Sequence, residues 1–274
     1  MKCLAIAVLG VGAFASCENV AVQREEVWVR HDAQADRIDF LYLYDGVSAA
    51  GSLPGAEAQV EALLEGKRRF GMNWLYSFDL EELDETATTP EDEVLLEGIA
   101  VEDAYAFRNE EGELSLTQHV RAIEAAKIVA RLNEAIREWA EKELEEEGGS
   151  GDEVERRLAW QRAIEEGWEF VRFDGPQLVV QFPVTPEDAA ELRPELARAA
   201  EDPNHPLRDV TASSIEAGRA KLTFGTGDAR AWSVPRVNES RKVDPALLEA
   251  LVADGHEVRD DVHFEEVLAA FLGE

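Results

Sequence analysis

Between Glu25 and Asp32 apolar and polar residues alternate through Val27-Trp28-Val29-Arg30-His31-Asp32, and Ile38 to Tyr44 forms a second β-rich run ending at Asp45-Gly46. With polar Ala33-Gln34-Ala35-Asp36 between them, the two runs predict a β-hairpin. Pro54 and Gly66 bracket a helical segment with Val60, Leu63 and Leu64 on one face. Aromatic-rich Phe70 to Phe78 predicts a further strand, followed by an acidic loop from Glu81 to Glu93 in which Thr89-Pro90 marks a turn or helix start. A second hairpin joins Ile99–Phe107 to Glu113–Leu116 across Asn109-Glu110-Glu111-Gly112.

The longest periodic segment runs from Thr117 to Glu147, where Ala125, Ile128, Leu132, Ile136 and Trp139 recur at three and four and predict one long helix. Gly148-Gly149-Ser150-Gly151 stops it. Asp152 with Glu155 forms a capping box for a return helix through Leu158 and Ile164, so an αα-hairpin is expected. Trp168–Phe173 and Leu178–Phe182 flank Asp174-Gly175 as a third hairpin, and Pro186 opens a helix to about Ala200. A fourth hairpin pairs Val210–Ile215 with Lys221–Phe224, and Ala231–Val234 adds a strand. Helices then follow from Asp244-Pro245 to near Gly255 and from His263 to Leu272. Hairpin followed by helix recurs without a fixed residue period, so the pattern is not a repeat family. Hairpins imply antiparallel pairing, and the expected class is α+β: an antiparallel sheet of successive hairpins packed with helices.

The first seventeen residues follow a different logic. Met1-Lys2 precedes an apolar run from Cys3 to Ser16 that closes on Phe14-Ala15-Ser16-Cys17. One positive charge, an apolar stretch and small residues at a cut site make an export signal, whereas a spanning helix needs about 20 apolar residues. Ala15-Ser16-Cys17 resembles the lipobox of bacterial lipoproteins, with Phe14 departing from the usual Leu, Val or Ile. The resemblance implies cleavage after Ser16, a signal peptide over 1–16, and a Cys17 carrying a diacylglycerol thioether and an acylated amino group. Ala13-Phe14-Ala15 also satisfies ordinary signal cleavage, which would release a soluble chain beginning Ser16-Cys17. On the lipoprotein reading, residues 17–25 are a short tether and 26–274 a single body with a weak boundary near 148–151. Three acyl chains, at about 0.8 kcal/mol per buried CH₂, anchor such a body essentially permanently.

The 274-residue chain carries 58 acidic and 27 basic residues, a formal charge of −31, and loss of residues 1–16 removes Lys2 and no acid to leave −32. That field repels phosphate backbones and anionic lipid, which excludes nucleic acid as the expected partner. A hydrophobic fraction of 45% supplies a core. The only two cysteines are Cys3, which leaves with the signal, and Cys17, so the body has no disulfide, thiolate catalyst or thiolate metal site. No window carries the spaced oxygens of a calcium loop, and a solvated acidic surface accounts for the charge.

Candidate chemistry is sparse. His256, Glu257, Asp260, Asp261 and His263 lie close together but lack the H-E-x-x-H spacing of a metal site, and read as a solvated loop with a helix cap. His31 and Asp32, beside Asp36 and Asp39, read as a polar turn, with an acid–base pair as the sharper alternative. His205 lies in a turn, and His119 begins the long helix. Ser150 fails the nucleophile-elbow spacing, and Gly225-Thr226-Gly227 fails the dinucleotide and P-loop patterns, so no catalytic, metal or cofactor-binding residue is assigned. Tyr42, Tyr44, Trp139, Trp160 and Trp168, with Trp28, Trp74 and Tyr76, are expected in the core. The pattern resembles lipoproteins of Gram-negative envelopes, on the inner or outer membrane. It implies a non-catalytic protein that binds an envelope protein or small molecule through a sheet face or the long helix. The alternative is a tethered hydrolase using His31 with a nearby Asp, or the His256–His263 cluster.

Overall fold

Period-two alternation over long stretches builds the first sheet. In the computed structural model β1 (Val20–Asp32) and β2 (Arg37–Ala49) form the first hairpin, and β2 buries Ile38, Phe40, Tyr42 and Tyr44. The structure describes residues 19–66, 98–145, 151–205, 207–216, 218–225, 231–237, 242–260 and 262–273. The Phe70–Phe78 strand, the Glu81–Glu93 loop, most of the Gly148–Gly151 junction and the whole signal segment, Cys17 included, lie outside them. The described residues form two compact units, the first from those within 19–29, 38–123 and 233–273, the second from those within 30–37 and 124–232.

The remaining elements of the first unit are α1 (Leu53–Leu64), β3 (Ile99–Arg108), β4 (Leu114–Ile123), β9 (Trp232–Val237), α5 (Ala246–Ala253), β10 (Val258–Arg259) and α6 (Phe264–Leu272). Those of the second unit are α2 (Ala125–Glu145), α3 (Gly151–Glu165), β5 (Val171–Asp174), β6 (Gln177–Pro183), α4 (Pro186–Ala199), β7 (Val210–Glu216) and β8 (Arg219–Phe224). One sheet has the order β10-β3-β4-β2-β1-β9 and the other β5-β6-β8-β7, so the class is α+β. Both are built on hairpins, and the short β10 adds a parallel edge to β3 that the sequence pattern does not signal.

Three boundaries differ from expectation for identifiable reasons. β2 continues past Asp45-Gly46 because Gly46 takes φ +62°, where an added Cβ would lie 2.8 Å from that of Gln23. β1 begins at Val20, within the stretch assigned to a tether, and Asn19 already accepts from Ala50 N at 2.7 Å and from Ser52 N, through Oδ1, at 3.1 Å. The long helix starts at Ala125 and not Thr117. Residues 117–123 belong to β4, where Val120 and Ala122 are buried on one side of the pleat, and Glu124 at φ +60° turns the chain out of the strand. His119 is therefore a strand residue.

In the first unit β2 buries the aromatics Phe40, Tyr42 and Tyr44, and helices α1 and α5 meet through aliphatic residues. Val60 and Leu63 of α1 and Leu247 and Leu251 of α5 are essentially buried, and Gln118 of β4 donates to the Leu63 carbonyl at 3.2 Å, satisfying an acceptor in the last turn of α1. Each such side chain contributes about 1.5–3 kcal/mol relative to exposure.

In the second unit Trp160 of α3 stands edge-on to Trp139 of α2 at 5.5 Å, and Asn133 of α2 clamps the edge of β5 by two bonds with the Val171 backbone, at 2.7 and 3.0 Å. Thr185 and Asp188 close a reciprocal capping box at the start of α4, and Arg156 of α3 reaches Asp188 at 3.0 Å. Burial alone would raise the Asp188 carboxyl. The bonds from Arg156 and from the backbone and hydroxyl of Thr185 outweigh that and hold it below the ordinary carboxylate value.

Candidate functional site

The second unit carries a groove of about 660 Å³ whose floor is the polar face of its sheet. Strand register puts Gln181 opposite Lys221 and Lys221 opposite Ser214, while Arg172 pairs with Val179, two residues from Gln181. Side chains two apart along a strand share a face, so Arg172, Gln181, Lys221 and Ser214 project together. The alternate residues Leu178, Val180, Phe182, Ala220, Leu222 and Phe224 are buried on the opposite face. That apolar layer fixes the register, because a slip by one residue would bury the lysine and expose the leucines.

The groove wall comes from α3 and the turn after it. Ala159, Arg162 and Glu166 follow at three and four residues and share one helical face. Trp168 is nearly buried, and its indole N–H donates to Glu166 Oε2 at 2.9 Å. The Arg219 guanidinium lies 3.7 Å from the centroid of that indole and 3.9 Å from the same Glu166 oxygen. With Arg219 itself part-exposed, such a cation–π contact contributes about 0.5–1 kcal/mol, so this trio is a modest fixture of the lining. Gln181 donates to the Glu169 carbonyl at 2.5 Å, which orients its amide.

Arg162, Arg172 and Lys221 are differently placed. None of the three has an ion pair or side-chain hydrogen bond among the described residues, and they share the groove with Arg219 against two carboxylates, Glu166 and Glu216. The lining is therefore formally +2 in a chain of −31. Such an arrangement offers planar guanidinium forks and a flexible ammonium to an anion, with an indole and a hydroxyl alongside.

Three of the five histidines have partners of their own. The His31 ring stacks on Phe173 at 4.1 Å and its Nδ1 lies 2.6 Å from the Gly175 carbonyl. Its neighbour Asp32 caps the backbone of Gln34 and Ala35, while Asp36 accepts from Ala126 N at 3.0 Å. Asp39, with no exposed surface, is engaged by His119 Nε2 at 3.2 Å and Arg121 Nε at 3.0 Å. Arg121 also meets Glu102 at 3.1 Å, and Phe271 stands edge-on to His119 at 5.5 Å. His205 accepts from Leu207 N at its Nδ1 and places Nε2 3.4 Å from Glu195, locking its own turn. In the last cluster Asp260 pairs with Arg108 at 2.7 Å and Glu257 lies 3.8 Å from Arg259, His263 makes no capping bond, and Asp261 lies outside the described residues. Among the described residues no group of three or more His, Cys, Asp or Glu is placed to hold a metal.

The sequence reading assigned no role to Arg162, Arg172, Arg219 or Lys221. The one local signal available was Arg219-Ala220-Lys221, two cations on one strand face in a chain with two acids for each base. Compared with models of protein families, with curated proteins and with solved structures, the chain matches none.

Proposed function

We propose that this chain is a lipid-anchored protein of the bacterial cell envelope that works by binding rather than catalysis, through the polar face of its β5-β6-β8-β7 sheet. The observation that carries the binding reading is the groove in which Arg162, Arg172 and Lys221 make no ion pair among the described residues. The address rests on Ala15-Ser16-Cys17 with its preceding apolar run. Among the described residues no helix is long and apolar enough to cross a membrane.

The start of β1 gives the anchor a mechanical consequence. Cys17 precedes the hydrogen-bonded Asn19 by only two residues, a reach of at most about 7 Å. Acylation at Cys17 therefore holds the first unit against the headgroups. The segment that Asn19 hydrogen-bonds, Ala50-Gly51-Ser52, carries no charge, so the fixed end of the tether is itself uncharged apart from Glu18.

Acyl labelling and membrane fractionation test the address. Wild type is expected to take up labelled fatty acid and to sediment with membranes, and Cys17→Ser to lose both. An unlabelled wild-type chain released as a soluble protein beginning at Ser16 would contradict it.

A further inference from the structure

We infer that the groove of the second unit is a binding site for a compact organic dianion, a phosphate monoester or a dicarboxylate. The inference deepens the binding reading above and rests on it. In a chain with 58 acids for 27 bases, a cation readily meets a carboxylate, and several arginines do so: Arg24 with Glu26, Arg108 with Asp260, Arg121 with Asp39, Arg156 with Asp188. Arg162, Arg172 and Lys221 make no such pair among the described residues and stand together in one concavity. Clustering like charges destabilises a fold unless something neutralises them, and the residual +2 of the lining matches two negative charges.

The size of the anion follows from the field of the rest of the molecule. A long polyanion would carry most of its charge over a surface of −31, whereas a small ligand keeps its charges within the groove. At physiological ionic strength the Debye length is about 8 Å, so the nearest cations dominate there. Strand spacing of about 4.8 Å puts the Arg172 and Lys221 backbones two strands apart, within reach of one phosphate or of the two ends of a short diacid for side chains of this length. Trp168, held by Glu166 and covered by Arg219, adds a fixed apolar side chain to the lining.

The test is isothermal titration of the full-length chain in detergent, in 150 mM salt, with glycerol 3-phosphate, succinate and uncharged glycerol as probes. At least one dianion is expected to bind wild type with saturation, glycerol not at all, and the paired variant Arg172→Gln/Lys221→Gln more than tenfold more weakly. Arg198→Gln, an exposed cation paired with Glu195 on α4, is expected to bind like wild type. Binding of the phosphate probe alone or of the diacid alone assigns the ligand class, and circular dichroism of the paired variant controls for folding. Saturable binding that survives the paired substitution, equal binding of glycerol, or no binding of either dianion overturns the inference. Loss of anion binding with Cys17-dependent fractionation intact would remove this inference and leave the envelope address standing; the reverse result would remove the address alone.

Discussion

In the first unit the buried carboxylates are matched: Asp39 holds His119 and Arg121 across neighbouring strands, and Glu26 accepts from Arg24 at 2.7 Å and from the Ser233 hydroxyl at 2.9 Å. In the second unit one buried carboxylate, Asp188, is matched in the same way, yet three cations are gathered in a groove without an ion pair among the described residues. The same chain thus uses charge for structure in one place and leaves it open in another. Removing a structural charge unbalances a buried group, while removing a groove cation relieves repulsion, so the two kinds of site respond to substitution with opposite sign.

The largest effect belongs to the first unit. Asp39→Ala strands His119 and leaves Arg121 with Glu102 alone, both only partly solvated, and we expect a loss of about 2–3 kcal/mol in urea unfolding. A loss below about 0.5 kcal/mol would make Asp39 an ordinary surface-type pair. Next comes Asp188→Asn, which keeps the shape but loses the charge facing Arg156 and weakens the α4 cap, for about 1–2 kcal/mol at neutral pH.

The pH dependence follows from the direction of the Asp188 shift. Its folded-state carboxyl titrates below the unfolded value of about 3.9, so its contribution is complete above that value and is lost as pH falls through the folded one. The difference between wild type and Asp188→Asn should be constant from pH 7 to about 5 and shrink below about pH 4. A difference that grows on acidification would reverse the assignment.

Smaller effects sharpen the contrast. Arg172→Gln/Lys221→Gln without ligand should leave the midpoint unchanged or raise stability by a few tenths of a kcal/mol, on the order of one exposed charge pair. A loss of 1 kcal/mol or more would show those cations to be structural. Glu124→Gly removes a non-glycine residue from φ +60° at a cost of the Lys127 ion pair, for a net gain of about 0.5 kcal/mol by thermal unfolding.

Much of the fold was legible because hairpins announce themselves locally. Asn109 to Gly112, Asp174-Gly175 and Gly218 lie between alternating runs, and the structure turns at each. The handover at 117–125 was not, since the helical stripe beginning at Ala125 abuts an alternating strand with no glycine or proline between them, and Glu124 gives no sign of its positive φ. The candidate site was less legible still. Arg162, Arg172 and Lys221 are distant in sequence, and only the pairing of β6 with β8 brings Gln181 opposite Lys221 and joins their rows. His119 illustrates the same limit: its partner Asp39 is 80 residues away, and the sequence neighbours of neither residue name the other.

The most direct test of the central claim is a two-dimensional ¹H–¹⁵N spectrum of the chain titrated with whichever dianion binds. The indole N–H of Trp168, which donates to Glu166, and the backbone amides of Arg172, Gln181 and Lys221 should shift together and saturate at one ligand per chain. Shifts confined to other residues, or shifts that grow linearly with added salt and never saturate, would contradict the claim that these cations stand unpaired for a ligand.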